Sequence, residues 1–226
     1  MNKRMLGMLG GLAGLAVLAA WAVAGTSDRL GPRPEADRPA LALVTSLPLI
    51  FAEDFKLEGG GSPALTRLEQ RYKVMPIGVA DRQSLAGRDL LLMAHPRAQP
   101  ADVLVELDQW VRGGGKLLLL ADPKLDWPSE RPLGDRLRPQ PAFADTGLLG
   151  HWGLKLDGPE AGSDNSAGHL ISSGPCIVVG GGMIARCPIG RGWVTVVADA
   201  DFMNVEDSEA ESLSVLVGEL GRLESR

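Results

Sequence analysis

The residues best suited to chemistry are acidic, and they follow apolar runs. Residues 116–123 read KLLLLADP and residues 192–204 read GWVTVVADADFMN, so Asp122, Asp199 and Asp201 each stand where a buried strand ends. Carboxylates gathered at one end of a sheet offer hard oxygen ligands to a divalent cation such as Mg²⁺, Ca²⁺ or Mn²⁺, the arrangement of a metal-dependent hydrolase. The competing use is architectural. An Asp after a strand accepts backbone N–H bonds in a turn, Asp122-Pro123 is a typical turn starter, and alternate residues of "DAD" share a face. In this second use, "VVADADFMN" only closes the last strand and hands the chain to a final helix. Two further strand ends bring Ser46 and His95 to the same rim. His95 is placed either to touch a ligand or to be satisfied by backbone groups. Ser46, His95, Asp122, Asp199 and Asp201 are therefore the candidate ligand-binding set. We assign no catalytic residue, resident metal or cofactor.

Nucleophilic hydrolysis on an α/β sheet needs a Ser or Cys on a sharp strand-to-helix turn. The natural elbow follows LLLMA, and the chain has His95-Pro96-Arg97 there. The run EGGGS at 58–62 follows the first strand and precedes a helix. Its spacing is not Gly-x-Gly-x-x-Gly, so it is a poor phosphate cradle. His95, His151 and His169 show no metal-ligand spacing.

The elements that must position these residues are legible as hydrophobic patterns. ALALVTSLPL (40–49), RDLLLMAHP and KLLLLADP are continuous apolar runs, as in strands buried on both faces. KVMPIGV is a weaker strand placed near an edge, because Pro76 cannot donate to a ladder. Ser62 and Pro63 supply a cap and a first helical residue. In QPADVLVELDQWVRGGG, apolar residues at 103, 104, 107, 110 and 111 form one helical face that the glycines at 113–115 terminate. Strand, helix, strand over this span is a βαβ unit, which requires a parallel sheet. One short helix is expected within FADTGLLGHWGLKL. The spacing also predicts a final helix from Ser208, with a capping box to Glu211, burying Leu213, Leu216, Val217, Leu220 and Leu223. The fold class is α/β, a doubly wound and mostly parallel sheet between helices, with an antiparallel hairpin near the C-terminus.

The first residues bear on the compartment. Lys3 and Arg4 precede an uncharged stretch at 5–25. As a helix it would extend about 31 Å, the thickness of a bilayer core. Its length favours an uncleaved single-pass anchor in the inner (cytoplasmic) membrane, with the flanking cations inside and the domain in the periplasm. A cleaved signal peptide, with Ala22-Val23-Ala24 as its small-x-small site, is the rival. Gly7/Gly11 and Gly10/Gly14 have the spacing that lets two membrane helices dimerise, although small residues are also common in such anchors. Residues 26–39 read as a proline-rich tether and 40–226 as the periplasmic domain. Without Lys3 and Arg4, the 23 basic residues fall to 21 against 28 acidic ones. With no basic run and 4% aromatic residues, a nucleic-acid partner is excluded on electrostatic and stacking grounds.

Cys176 and Cys187 are the two cysteines, in CIVVGGGMIARC. A two-residue turn at Gly181-Gly182 would set 176 opposite 187, within the reach of a disulfide. An oxidising compartment favours that pairing over two buried thiols.

The block LLLMAHPRAQPADVLVELDQWVRGGGKLLLLADP and the later GRGWVTVVADADFMN resemble the auxiliary component of gliding-motility-type ABC transporters. They are similar also to a related membrane-anchored family of unknown function. The shared features are the apolar strand with a following Pro, the helix with LDQ, the glycine pair, the strand closing on DP, and the DADF turn. They span about 41–123 and 190–205. The resemblance implies a non-catalytic domain with a class-I-glutamine-amidotransferase-like fold, held at the membrane face beside ABC transporter subunits or another envelope complex. Auxiliaries of that family are usually larger and carry a second membrane helix near the C-terminus, whereas this sequence ends on a soluble helix.

Overall fold

A computed structural model describes residues 31–51, 61–159 and 167–226. The anchor expected at 5–25 lies outside the described residues. Among those described, no helix is long and apolar enough to cross a membrane.

The folded unit runs from Arg33 to Arg226. Its elements are β1 (Ala40–Thr45), α1 (Pro63–Glu69), β2 (Lys73–Pro76), β3 (Leu90–Ala94), α2 (Ala101–Arg112), β4 (Lys116–Leu120), α3 (Leu148–His151), β5 (Leu154–Asp157), β6 (His169–Ser172), β7 (Ile177–Val179), β8 (Ile184–Ile189), β9 (Gly192–Val197) and α4 (Leu213–Glu224). Seven strands form one sheet in the order β2-β1-β3-β4-β9-β8-β7. The first five are parallel, and β8 and β7 continue the sheet antiparallel. A separate antiparallel pair, β5 with β6, has no counterpart in the sequence reading.

Alternating side chains of the central strands feed two cores. Leu91, Met93, Leu117, Leu119, Val194 and Val196 face Val103, Leu107 and Val111 of α2 and Leu148 and Leu149 of α3. Leu41, Leu43, Leu92, Leu118 and Leu120 face Leu65 and Leu68 of α1 and Leu213, Leu216, Leu220 and Leu223 of α4. Each such leucine contributes about 1.5–3 kcal/mol of burial, which is why the strands are apolar on both faces and the helices on one. Helix α1 starts as expected, with the Ser62 hydroxyl accepting from the Leu65 amide at 3.1 Å. Strand β9 begins at Gly192, where a Cβ would meet the Val111 and Gly115 carbonyl oxygens at 2.0 and 2.2 Å. Only glycine lets the strand start that close to the end of α2.

Three expectations need correction. Strand β1 stops at Thr45, and residues 46–51 form bends. The final helix starts at Leu213, not Ser208. Residues 208–212 are turns, anchored by Asp207 Oδ1 accepting from the Glu209 amide at 2.9 Å. The side chains expected to be buried on that helix are buried. The cysteine hairpin closes through a four-residue loop, 180–183, rather than a two-residue turn, because the ladder ends at Val179↔Ile184. Gly180, Gly181 and Gly182 all have positive φ (61°, 64° and 99°), and the loop keeps the same centre. The register Ile177↔Arg186 therefore continues to Cys176 and Cys187, which form a disulfide with Cα atoms 4.1 Å apart.

Within the stretch read as tether, Arg33 belongs to the folded unit. Its guanidinium reaches both oxygens of Glu224, at 3.2 and 2.7 Å, and lies over the Tyr72 ring at 5.5 Å.

Candidate functional site

Parallel strands place their following loops on one rim. The register Leu120↔Val197 sets Asp122, two residues past β4, beside Asp199, two residues past β9. Asp201 completes the group. One carboxylate oxygen from each of the three lies within 4.8 Å of the others. The three acidic residues named at the strand ends therefore lie together.

Their hydrogen bonds show how they are held. Asp122, with no exposed surface, accepts from the Lys124 amide at 2.8 Å through Oδ1 and from the Ala200 amide at 2.9 Å through Oδ2. It thereby ties the loop after β4 to the loop after β9. Asp199 Oδ1 accepts from the Asp201 amide at 2.8 Å, and Asp201 Oδ1 accepts from the Asp126 amide at 2.8 Å. Burial pushes the Asp122 carboxyl above its ordinary range, and the nearby Asp201 charge adds to this against the pull of the backbone amides. Burial raises Asp199 as well, helped by the charges of Asp122 and Asp201. Such a cluster is chemically able to hold a hard cation, because each bonded oxygen keeps a second lone pair.

His95 and Ser46 do not join this cluster by any direct hydrogen bond. His95 is fully buried and sits in left-handed backbone, φ 46°. Its Nε2–H donates to the Gln140 carbonyl at 2.8 Å, which fixes the tautomer and leaves Nδ1 buried without a hydrogen-bond partner. Burial holds the imidazole below its ordinary value, with the Gln140 carbonyl and the Asp201 charge pulling the other way. The ring is therefore neutral at pH 7. The Ser46 hydroxyl donates to the His95 carbonyl at 2.5 Å, and the Thr45 hydroxyl donates to the Ala94 carbonyl at 2.9 Å. Both stitch the loop after β1 to the end of β3.

The second feature of the rim went unread in the sequence. After β1 the chain crosses to β2 and after β3 it crosses the opposite way to β4, so the carboxyl ends of β1 and β3 diverge. Ligands sit at such switch points in open α/β sheets. A cleft of about 250 Å³ opens there, lined by Ser46, Leu47, Arg97, Arg131, Arg136 and Leu137 among others. In the sequence Arg97 is marked only by following the elbow, and Arg131 and Arg136 come from a proline-rich segment without periodicity.

No family model and no curated protein matches the chain. Several solved structures are similar to it to differing degrees. The mmIFT52 N-terminal domain superposes with a TM-score of 0.54 and 14% identity, over 83% of this chain and 98% of that one. An exo-β-1,4-mannosidase, Op5Man5 from Opitutaceae bacterium strain TAV5, gives a TM-score of 0.45 at 14% identity, over 83% of this chain and 36% of the enzyme. A β-galactosidase from the Antarctic haloarchaeon Halorubrum lacusprofundi gives 0.46 at 16% identity, over 87% of this chain and 31% of the enzyme. This chain thus spans about a third of each glycosidase. At these identities the likeness to the mmIFT52 domain is one of fold.

Proposed function

We propose that the chain is a non-catalytic binding or scaffold domain, anchored through residues 5–25 in the inner membrane and facing the periplasm. It serves as an auxiliary to an ABC-type transporter or another envelope complex. In this reading the fold is the class-I-glutamine-amidotransferase-like form of the doubly wound sheet; a separate reading pairs two copies through the glycine-spaced anchor. One observation carries the reading. The turn after β3, where an enzyme of that form presents its nucleophile, holds His95 and Pro96, both buried, with the His95 ring bonded to the Gln140 carbonyl. The resemblance of residues 41–123 and 190–205 to transporter auxiliaries supports the same assignment. The test is affinity capture of the full chain from membranes after in-cell crosslinking. Recovery of a transporter ATPase and permease is the expected result. Their absence, with the bait fully recovered, removes the transporter assignment. Replacing Gly10 and Gly14 with Leu should abolish self-association, and unchanged association removes the dimer.

The 4.8 Å grouping of Asp122, Asp199 and Asp201 favours a second reading, a divalent-metal-dependent periplasmic hydrolase. Calorimetric titration with Mg²⁺, Ca²⁺ and Mn²⁺ decides it: no heat and no change in melting temperature eliminate the enzyme.

A further inference from the structure

The cleft between the ends of β1 and β3 carries arginines in its lining. In a chain of formal net charge −5, Arg97, Arg131 and Arg136 converge on one small opening. Among the described residues, Asp135 lies 3.8 Å from Arg131. Among the described residues no carboxylate pairs with Arg97 or Arg136. Arg97 is fixed in the wall, its Nη2 donating to the carbonyls of Arg136 at 2.5 Å and Arg138 at 2.8 Å. Arg138 Nη1 in turn donates to the carbonyls of Ser129, at 3.3 Å, and Arg131. Arginine-to-carbonyl bonds, rather than a strand or helix, thus hold the loop that carries Arg131 and Arg136 against the cleft.

The rest of the lining is apolar. Leu47 is buried, whereas Phe51 and Leu137 stand 65% and 54% exposed. Large apolar groups left open beside a cationic wall suit a ligand with an anionic head and an apolar body. One guanidinium fork already satisfies a planar carboxylate. Arg97 and Arg136, from separate segments, together offer more donors than that, and a tetrahedral oxyanion uses them.

We infer that this cleft binds a phosphate group carried on an apolar body, either a membrane lipid headgroup or a free phosphate ester. The inference rests on the binding-domain reading for the premise that the cleft holds its ligand without transforming it. The full chain in detergent is titrated calorimetrically with phenyl phosphate, with dihexanoyl phosphatidic acid, and with benzoate and dihexanoyl phosphatidylcholine as controls. At least one phosphate probe should bind more tightly than both controls. Binding should weaken about tenfold or more in Arg136→Glu, with the exposed position leaving the melting temperature unchanged. If that variant melts lower, Arg136→Gln gives the same reading with less perturbation. Phenyl phosphate binding assigns a free ester, and binding of the phosphatidic acid alone assigns a lipid. Failure of both probes, or equal affinity in wild type and variant, overturns the inference. Release of phenol from phenyl phosphate would instead remove the non-catalytic reading and leave the ligand class standing.

Discussion

Arg186 on β8 and Glu219 on α4 meet as a two-pronged pair, Nε to Oε2 at 2.8 Å and Nη2 to Oε1 at 2.6 Å. Glu219 is only 5% exposed, so the contact locks the antiparallel side of the sheet to the helix that covers it. Removing one member of such a pair strands the other charge. Glu219→Ala should destabilise the fold by about 2–4 kcal/mol, somewhat below the fully buried limit because water reaches the Arg186 side chain. The double change Arg186→Met with Glu219→Leu should recover most of that loss. Urea unfolding of both variants measures it, and a double variant as unstable as the single one contradicts the argument.

The crowded carboxylates give a pH dependence of definite sign. Burial foremost, then the neighbouring charges, raises Asp199 above its ordinary 3.8. The folded chain therefore holds a proton that the unfolded chain has released, and stability from this group falls as pH rises out of the acidic range. Asp199→Asn removes the charge and keeps a carbonyl to accept from the Asp201 amide. Its melting temperature relative to wild type should climb by a few degrees between pH 4 and pH 7. A variant that loses ground over that interval contradicts charge crowding.

The Cys176–Cys187 bridge closes a short loop, with a sequence separation of 11. Loops of that size contribute about 2–3 kcal/mol by restricting the unfolded chain. Reduction, or the double change to Ser, should lower the melting temperature by roughly 4–12 °C. A thiol assay on the denatured, unreduced chain should find no free cysteine.

At position 95 the usual ranking of residues should invert. Left-handed backbone costs a residue with a Cβ about 1–2 kcal/mol, and glycine escapes this. His95→Ala and His95→Gly both lose the ring bond to Gln140 and leave a cavity, so both melt below wild type. Glycine should nevertheless be more stable than alanine there by about 1 kcal/mol, measured by thermal or urea unfolding.

The sheet and its helices were legible because burial on two faces leaves an unbroken apolar run, and burial on one leaves a helical stripe. Leu117–Leu120 and the face of Val103, Leu107 and Val111 are the clearest cases. The disulfide was legible because the symmetry of the glycine turn fixes which residues oppose each other, whatever the loop length. The start of α4 was not, since Asp207 and Ser208 carry capping chemistry that here makes turns. Strands β5 and β6 are four residues each and, among the described residues, pair only with one another, too short for a period to emerge. The acidic triad could be read because parallel strands carry equivalent ends to one rim. The arginine cleft could not, because its walls are set by side chains bonding to carbonyls of a loop that has no repeat.

Both margins of the main sheet are blunted. At one side β2 is four residues long and ends on Pro76, which has no N–H to offer; at the other, β7 has three residues between a disulfide and a glycine loop. Neither border presents a run of open amides long enough to recruit a strand from a neighbouring molecule. Copies held at high density can therefore jostle without zipping together into fibrils.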